Sequence, residues 1–296
     1  MNKELIATWF ADLQNRICQS VEAADGKALF VEENWQREGG GGGRSRVMQN
    51  GAILEKAGVG FSAVHGQLPA NIQQALKVAD NNFFATGVSI VMHPQSPMVP
   101  IIHMNVRYFE LNDGTYWFGG GIDLTPHYVN DADAKFFHTA LKTVCDKCSP
   151  DFYSKFKTWA DDYFFIKHRQ ETRGIGGIFF DRLAANETHS KEQLWNFVQD
   201  VGNTFAPTYT HLMTKNSQIP YTEAHKHWQG VRRSRYVEFN LVYDKGTKFG
   251  LDTDGRTESI LMSMPPQAIW PYDYQPADGT AERQTLQKLV KGVSWV

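Results

Sequence analysis

Residues 87 to 118 place the tightest constraint on the fold. "GVSIVMH" at 87 to 93 and "IIHMNVRYFEL" at 101 to 111 alternate with the period of a strand, in which residues two apart share a face. "NDG" at 112 to 114 reads as a turn, and "TYWF" returns as its hairpin partner. On the second strand Ile102, Met104, Val106 and Tyr108 fall on one face, and His103, Asn105 and Arg107 on the other. On the first, Val88, Ile90 and Met92 oppose Ser89, Val91 and His93. The link "PQSPMVP" is short enough for the two strands to lie side by side, which would gather Ser89, His93, His103, Asn105 and Arg107 on one surface. That surface is either a solvated sheet face or the wall of a pocket. Solvated faces usually carry Lys, Glu and Thr, whereas His, Asn and Arg make directed hydrogen bonds.

The rest of the chain supplies helices. Residues 4 to 24 repeat Leu5, Trp9, Leu13 and Ile17 at helical spacing, widened by Ile6, Phe10 and Val21. A short helix is expected at 70 to 80, and two more at 131 to 148 and 150 to 168, punctuated by Ser149-Pro150. "GIGGIFF" at 174 to 180 reads as a strand, and 190 to 214 and 221 to 229 as helices. "RYVEFNLVY" at 235 to 243 reads as a strand, "DKGTKFG" as a turn and return, and "SILMSM" as a strand stopped by Pro265-Pro266. A helix near 281 to 291 ends the chain. Strands in adjacent pairs, with helices grouped between them, predict an α+β fold with an antiparallel sheet. No fixed-period repeat is present, and the reading is a single domain over 1 to 296.

A net charge of −2 gives no whole-protein case for nucleic acid or an anionic membrane. The first twenty residues lack the uninterrupted apolar stretch of a signal peptide. No segment approaches the ~20 apolar residues of a membrane span. With only Cys18, Cys145 and Cys148, no disulfide framework is expected, and the chain reads as cytoplasmic. The lone C-x-x-C of Cys145 and Cys148 reads as buried or idle thiols.

"WQREGGGGGRSRV" at 35 to 47 is either a linker or part of a site. A linker there would cut off a fragment too small for a core of its own. The run has neither the P-loop spacing nor the Rossmann context. It offers bare backbone N–H groups close to Arg44 and Arg46. Further arginines cluster elsewhere: Arg169 and Arg173 with His168 before a glycine-rich segment ending in Asp181, then Arg232, Arg233 and Arg235, then Arg256 in "DTDGRTES". Guanidinium forks suit carboxylate or phosphate, so their recurrence points to a ligand with several acidic arms.

"WQREGGGGGRSRV", "HMNVRYFE", "YWFGGGIDLTPHY", "DDYFFIKHR", "RGIGGIFFD", "RRSRYVEFNLVYDKGTKFGL", "GRTESILMSMPP" and the terminal "WV" together resemble the oxygen-dependent coproporphyrinogen III oxidase family, in the family's order and over about residues 4 to 296. The resemblance implies a large flat antiparallel sheet between helical layers, assembled as a homodimer through about residues 236 to 271. It implies oxidation of the ring A and B propionates of coproporphyrinogen III to vinyl groups with O2, in haem biosynthesis, with no organic cofactor. It places substrate contacts at Ser89, at Asn105, Val106 and Arg107, and at Asp254, Gly255 and Arg256. His103 matches the proton donor, and His93, His103, His138 and His168 match assigned ligands of a divalent metal. Asp254 and Thr172 depart from what relatives often carry. The glycine run is then expected to wall or cover the site, its amides and Arg44 or Arg46 receiving propionates. Asp181 is a second candidate, as base or pyrrole N–H acceptor. The reduced substrate can itself give electrons to O2, so no redox metal is expected to be essential. Two rival readings are a metal-dependent oxygenase of another multi-carboxylate substrate and a tetrapyrrole carrier.

Overall fold

The computed structural model describes residues 2–68, 70, 73–74, 77–79, 82–252 and 255–296. In chain order the strands are β1 (Val31–Gln36), β2 (Gly41–Gln49), β3 (Leu54–Gln67), β4 (Asn82–Pro94), β5 (Ile101–Leu111), β6 (Tyr116–Thr125), β7 (Phe165–Ile166), β8 (Glu171–Thr172) and β9 (Gly177–Leu183). One antiparallel sheet of seven strands runs β1-β2-β3-β4-β5-β6-β9, and β7 and β8 form a separate two-stranded ribbon. Each sheet strand therefore pairs with its predecessor in the sheet, the meander expected of hairpin-forming pairs. The helices are α1 (Lys3–Asp25), α2 (Asp131–Cys148), α3 (Phe152–Tyr163), α4 (Lys191–Ser217), α5 (Glu223–Val242), α6 (Lys245–Asp252), α7 (Thr257–Leu261) and α8 (Ala281–Lys288). The α+β class, the large antiparallel sheet and its helical layers are as expected. Several positions of the helix expected at 70 to 80 (71, 72, 75, 76 and 80) lie outside the described residues.

The alternation of β4 and β5 sorts the two faces of the sheet. Val88, Ile90 and Met92, with Ile102, Met104, Val106 and Tyr108, are all buried in the main core. α1, α2, α3 and α4 cover that face, contributing Ile6, Phe10, Leu13, Phe137, Leu141, Phe156, Phe197 and Leu212 among others. Each such side chain contributes roughly 1.5–3 kcal/mol by leaving water. α1 begins where Asn2 accepts the Leu5 N–H at 3.0 Å and ends at Gly26, whose φ of 74° closes the last turn. Its buried stripe is Ile6, Phe10, Leu13, Ile17 and Val21, whereas Leu5 is 64% exposed. The stripe is thus rotated one position from the expected centre. Gln14 sits within it and donates to the carbonyls of Arg44 and Val59, at 2.8 and 2.7 Å, which fixes α1 over β2 and β3.

The glycine run, for which the sequence alone assigns no element, enters a strand: Gly41, Gly42 and Gly43 belong to β2, which pairs with β1 on one edge and β3 on the other. Gly40 and Gly41, at φ 114° and 77°, make the turn into it. Three local expectations are corrected. Residues 235 to 243, expected as a strand, lie almost wholly in α5, because Trp228, Arg232, Tyr236 and Asn240 bury one face at four-residue spacing. Tertiary packing overrides their β-branched and aromatic composition. The following turn-and-return is α6, and "SILMSM" holds the end of α7. α5 and α7 lie against the second face of the sheet: Tyr236 packs with Val91 and Ile101, Ser259 Oγ is 3.2 Å from Ser45 Oγ, and Met262, just after α7, lies over Gly58 and Gly60.

Candidate active site

The second face carries the chemistry. Register places Ser89 opposite Asn105, Gly87 opposite Arg107, and Val91 opposite His103, so Ser89, His103, Asn105 and Arg107 form one partly exposed surface. Around them the strands carry few side chains of their own on that face: Gly58, Gly60, Gly87, Gly119 and Gly121 fall on it by register, with Met262 lying over the first two. The result is a low floor with a few directed polar groups, of the kind that admits a flat ligand close to backbone.

A β-bulge completes the surface. Phe118 pairs with Leu183 and Gly120 with Phe180, so Gly119 faces both Asp181 and Arg182 on β9. Arg182 takes φ 50°, a conformation that costs an L-residue energy. The bulge turns Asp181 back over Gly119 to accept from Arg107 Nη2 at 2.8 Å, while Arg107 Nη1 donates to Asn105 Oδ1 at 2.9 Å. A Cβ on Gly119 would stand 2.7–2.8 Å from Arg107 Nε, Arg107 Nη2 and Asp181 Oδ1. The two side chains remain 39% and 36% exposed, open to a ligand.

His103 faces its cross-strand partner Asp123, and Nδ1 lies 2.8 Å from Asp123 Oδ1. Asp123 was not singled out from sequence; the signal available was a lone carboxylate in "YWFGGGIDLT". It is buried, and Arg173 Nη2 donates to both its oxygens at 2.7 Å. Burial pushes the Asp123 carboxyl up, but the Arg173 charge and the His103 and Arg173 hydrogen bonds outweigh it and hold it below the usual range. Arg173 lies 4.4, 4.8 and 4.7 Å from the ring centroids of Phe164, Tyr236 and Phe239, and its Nη1 donates to Asn240 Oδ1 at 2.7 Å.

The family model for coproporphyrinogen III oxidase matches residues 5–295. The chain belongs to the coproporphyrinogen III oxidase family. It is 46% identical to the oxygen-dependent coproporphyrinogen-III oxidase, chloroplastic, of Glycine max, over 96% of this chain and 77% of that protein. It is likewise 46% identical to coproporphyrinogen-III oxidase 1, chloroplastic, of Arabidopsis thaliana, over 96% of this chain and 76% of that one. The similarity to the Nicotiana tabacum oxygen-dependent enzyme is 46%, over 96% and 75%.

Other site expectations carried by the family resemblance meet a different geometry. Val106 points into the core, so only its backbone adjoins the site face. Arg44 and Arg46 lie on the helical face. Arg44 donates to Gln14 Oε1, the Ala11 carbonyl and Asn15 Oδ1, and Arg46 to Glu32. They do not share a surface with Arg107, and β2, paired on both edges, is not a lid with amides held ready for propionates. Arg44 and Arg46 thus lie away from the site face, whereas Gly43 falls on it by register. Arg256 does reach the site face, at its far edge, where it pairs with Glu33 of β1. Four strand spacings, roughly 19 Å, separate β1 from β5. Gly255 donates to the Gly250 carbonyl at 2.8 Å, and Asp254 lies outside the described residues. Thr172 is buried and donates to the Gly174 carbonyl.

Most clustered arginines already hold protein carboxylates: Arg169 and Arg235 hold Glu238, Arg173 holds Asp123, Arg232 holds Glu171 and Arg233 holds Glu55. Arg173, Arg232, Arg233 and Arg235 are also buried, which removes them as arms for an anionic ligand, whereas Arg107 stays partly exposed beside its partner. Sequence could not distinguish these structural pairs from Arg107.

The four histidines do not fit one metal. His138 lies on α2 in the helical layer, with Nδ1 3.0 Å from the Tyr153 hydroxyl and Nε2 3.0 Å from the Ile175 carbonyl. His168 faces Tyr243 and Glu238 with its two nitrogens, at 2.8 and 2.7 Å. His93 is buried under Tyr236, with Nε2 2.8 Å from the Ser263 carbonyl. Burial pushes His93 down to about 3 and His138 down to about 4. Among the described residues no group of three or more His, Cys, Asp or Glu side chains is placed to hold an ion. Convergence of His93, His103, His138 and His168 is thus a corrected expectation. Cys18, Cys145 and Cys148 are free thiols, and burial pushes Cys145 up to about 12. No described helix is long and apolar enough to cross a membrane.

Proposed function

We propose that this chain oxidatively decarboxylates the ring A and B propionates of coproporphyrinogen III to vinyl groups with O2, giving protoporphyrinogen IX. The observation that carries the reading is the side-chain-poor floor holding His103, Asn105, Arg107 and Asp181, in a chain 46% identical to oxygen-dependent coproporphyrinogen-III oxidases. A broad macrocycle of four pyrroles needs a surface with few projecting side chains, and its acidic arms need a guanidinium; the floor offers both. Arg107 takes the arm of the reacting ring, and Arg256, at the far edge, takes another. Fixing the ring in this way supplies the positioning that selects one propionate.

The chemistry balances without an organic cofactor. Each R–CH2–CH2–COOH and one O2 give R–CH=CH2, CO2 and H2O2. His103 moves the proton, with Asp181 as acceptor for a pyrrole N–H. Deprotonation lets the electron-rich ring add O2. The ring-bound peroxide then takes a proton from the propionate β-carbon and leaves as hydroperoxide with the electron pair of its C–O bond. The C–COO pair forms the vinyl bond as CO2 departs, and the acid protons return to hydroperoxide, giving H2O2, and to the pyrrole nitrogen. The electrons come from the substrate, and no step is routed through a metal.

Two further parts of the reading concern assembly and place. Exposed Leu241, Val242, Phe249, Leu251 and Trp270 cluster within residues 236 to 271, and they support a homodimer formed through that segment. The three unpaired thiols support a reducing compartment such as the cytoplasm, although the plant relatives carry chloroplastic names.

The test is incubation of the purified protein with coproporphyrinogen III in air and under strict anaerobiosis, following tetrapyrrole products. Protoporphyrinogen IX should form only in air, with no added nicotinamide, flavin or S-adenosylmethionine. Equal turnover without O2 would sink the assignment, and binding without turnover would favour a carrier.

A further inference from the structure

We propose that Asp123, backed by Arg173, is a positioning residue that fixes the orientation and tautomer of His103 so that Nε2 alone faces the substrate. Three observations carry this. Asp123 is buried on the same face as His103, and its oxygens are already held by Arg173 and the imidazole, so it orients the ring without being the group that meets a ligand. It sits in direct cross-strand register with His103, which sets the imidazole edge toward its oxygen and not toward solvent. Arg173 bonds both Asp123 oxygens and is itself held by Asn240 and by the rings of Phe164, Tyr236 and Phe239.

The consequence follows from donor and acceptor rules. With a guanidinium on both its oxygens, Asp123 remains a carboxylate and can only accept. His103 Nδ1 must then carry the proton, which leaves Nε2 as the nitrogen that takes or gives a proton at the substrate. A free imidazole favours the opposite tautomer and turns about its side-chain bonds. Phe164, with its ring centroid 6.3 Å from that of His103, limits that rotation further. Arg173 is read here as the anchor of a proton-transfer group and not as a carboxylate receiver for the ligand.

The role of His103 in turnover rests on the proposed oxidase activity; its tautomer does not. The first measurement is therefore made on the wild-type protein without substrate, by 15N NMR of labelled histidine, with the His103 signals assigned by their loss in His103→Gln. The expected result is a protonated Nδ1 and an unprotonated Nε2 at neutral pH. An Nε2-protonated or rapidly averaging ring overturns the proposal whatever the enzyme's reaction.

The second measurement is kinetic. Asp123→Asn should lower kcat by about a hundredfold or more, the range typical of proton-transfer groups, with KM changed less than about threefold. Asp123→Asn in a His103→Gln background should cost little more than His103→Gln alone, because the two residues act as one unit. Folded Asp123→Asn with wild-type kcat, or losses that multiply in the double variant, overturns the proposal. Should Asp123→Asn fail to fold, the wild-type tautomer decides.

Discussion

Arg107 and Asp181 meet at 2.8 Å although a whole strand, β6, lies between the strands that carry them. The contact is possible because Gly119 has no side chain and because the bulge at Asp181 and Arg182 turns the carboxylate back across it. Gly119→Ala should therefore lower kcat/KM by about tenfold or more while shifting stability by no more than about 1 kcal/mol. The new methyl displaces only the ends of two flexible side chains. Steady-state kinetics set beside urea denaturation separate the two effects, and equal kinetics would show that the ion pair is not used.

Arg107→Ala removes the guanidinium on the floor. Its pair with Asp181 is half exposed, so its loss should cost only about 0–1 kcal/mol of stability. A charge-assisted bond to a propionate is worth roughly 1.5–3 kcal/mol, or about ten- to a hundredfold in kcat/KM. Kinetics within twofold of wild type would remove Arg107 from the list of contacts.

Buried neutral histidines make the fold acid-sensitive. Burial lowers His93 to about 3 and His138 to about 4, from an ordinary value of 6.5. Above pH 6.5 both states are neutral there and neither histidine alters stability. Below 6.5 the unfolded chain takes up protons that the folded one refuses, so stability falls as pH drops toward the folded values. The slope should be up to about 1.4 kcal/mol per pH unit for each histidine. Urea midpoints between pH 7 and 4.5 measure it, and His93→Gln, if folded, should flatten the curve. A midpoint independent of pH over that range would contradict the burial argument.

How much of this was legible in sequence depended on side chains that report their own environment. β5 announced itself because apolar and polar residues alternate along it, and β4 did so despite Val91 on its polar face, and that pattern alone placed Ser89, Asn105 and Arg107 together. β2 did not, because glycines have no side chain to alternate. α5 was misread because Tyr236, Val237 and Phe239 suit a strand equally well, and only packing on Val91, Ile101 and Phe164 decides for helix. The histidine set failed for a different reason. Residue type names a possible ligand, but whether His138 and His103 share a side of the sheet is a property of topology. The same holds for Arg44, one residue out of phase with the floor, and for Arg173, whose partner Asp123 is fifty positions away.

The exposed apolar segment predicts assembly. Leu241 and Val242 are each nearly half exposed at the end of α5, and Phe249 and Leu251 follow on α6. Leu241→Asp combined with Phe249→Asp should shift sedimentation from dimer to monomer at micromolar concentration. A wild-type monomer with full activity would contradict the assembly proposed here.

The central claim is that the substrate supplies the electrons and this face supplies only position and protons. Its most direct measurement is the ratio of O2 consumed to CO2 released by chelator-treated, metal-free protein turning over coproporphyrinogen III. The account predicts sustained turnover with one O2 taken up and one H2O2 formed per CO2. Activity that vanishes on metal removal and returns only with iron or copper would contradict it.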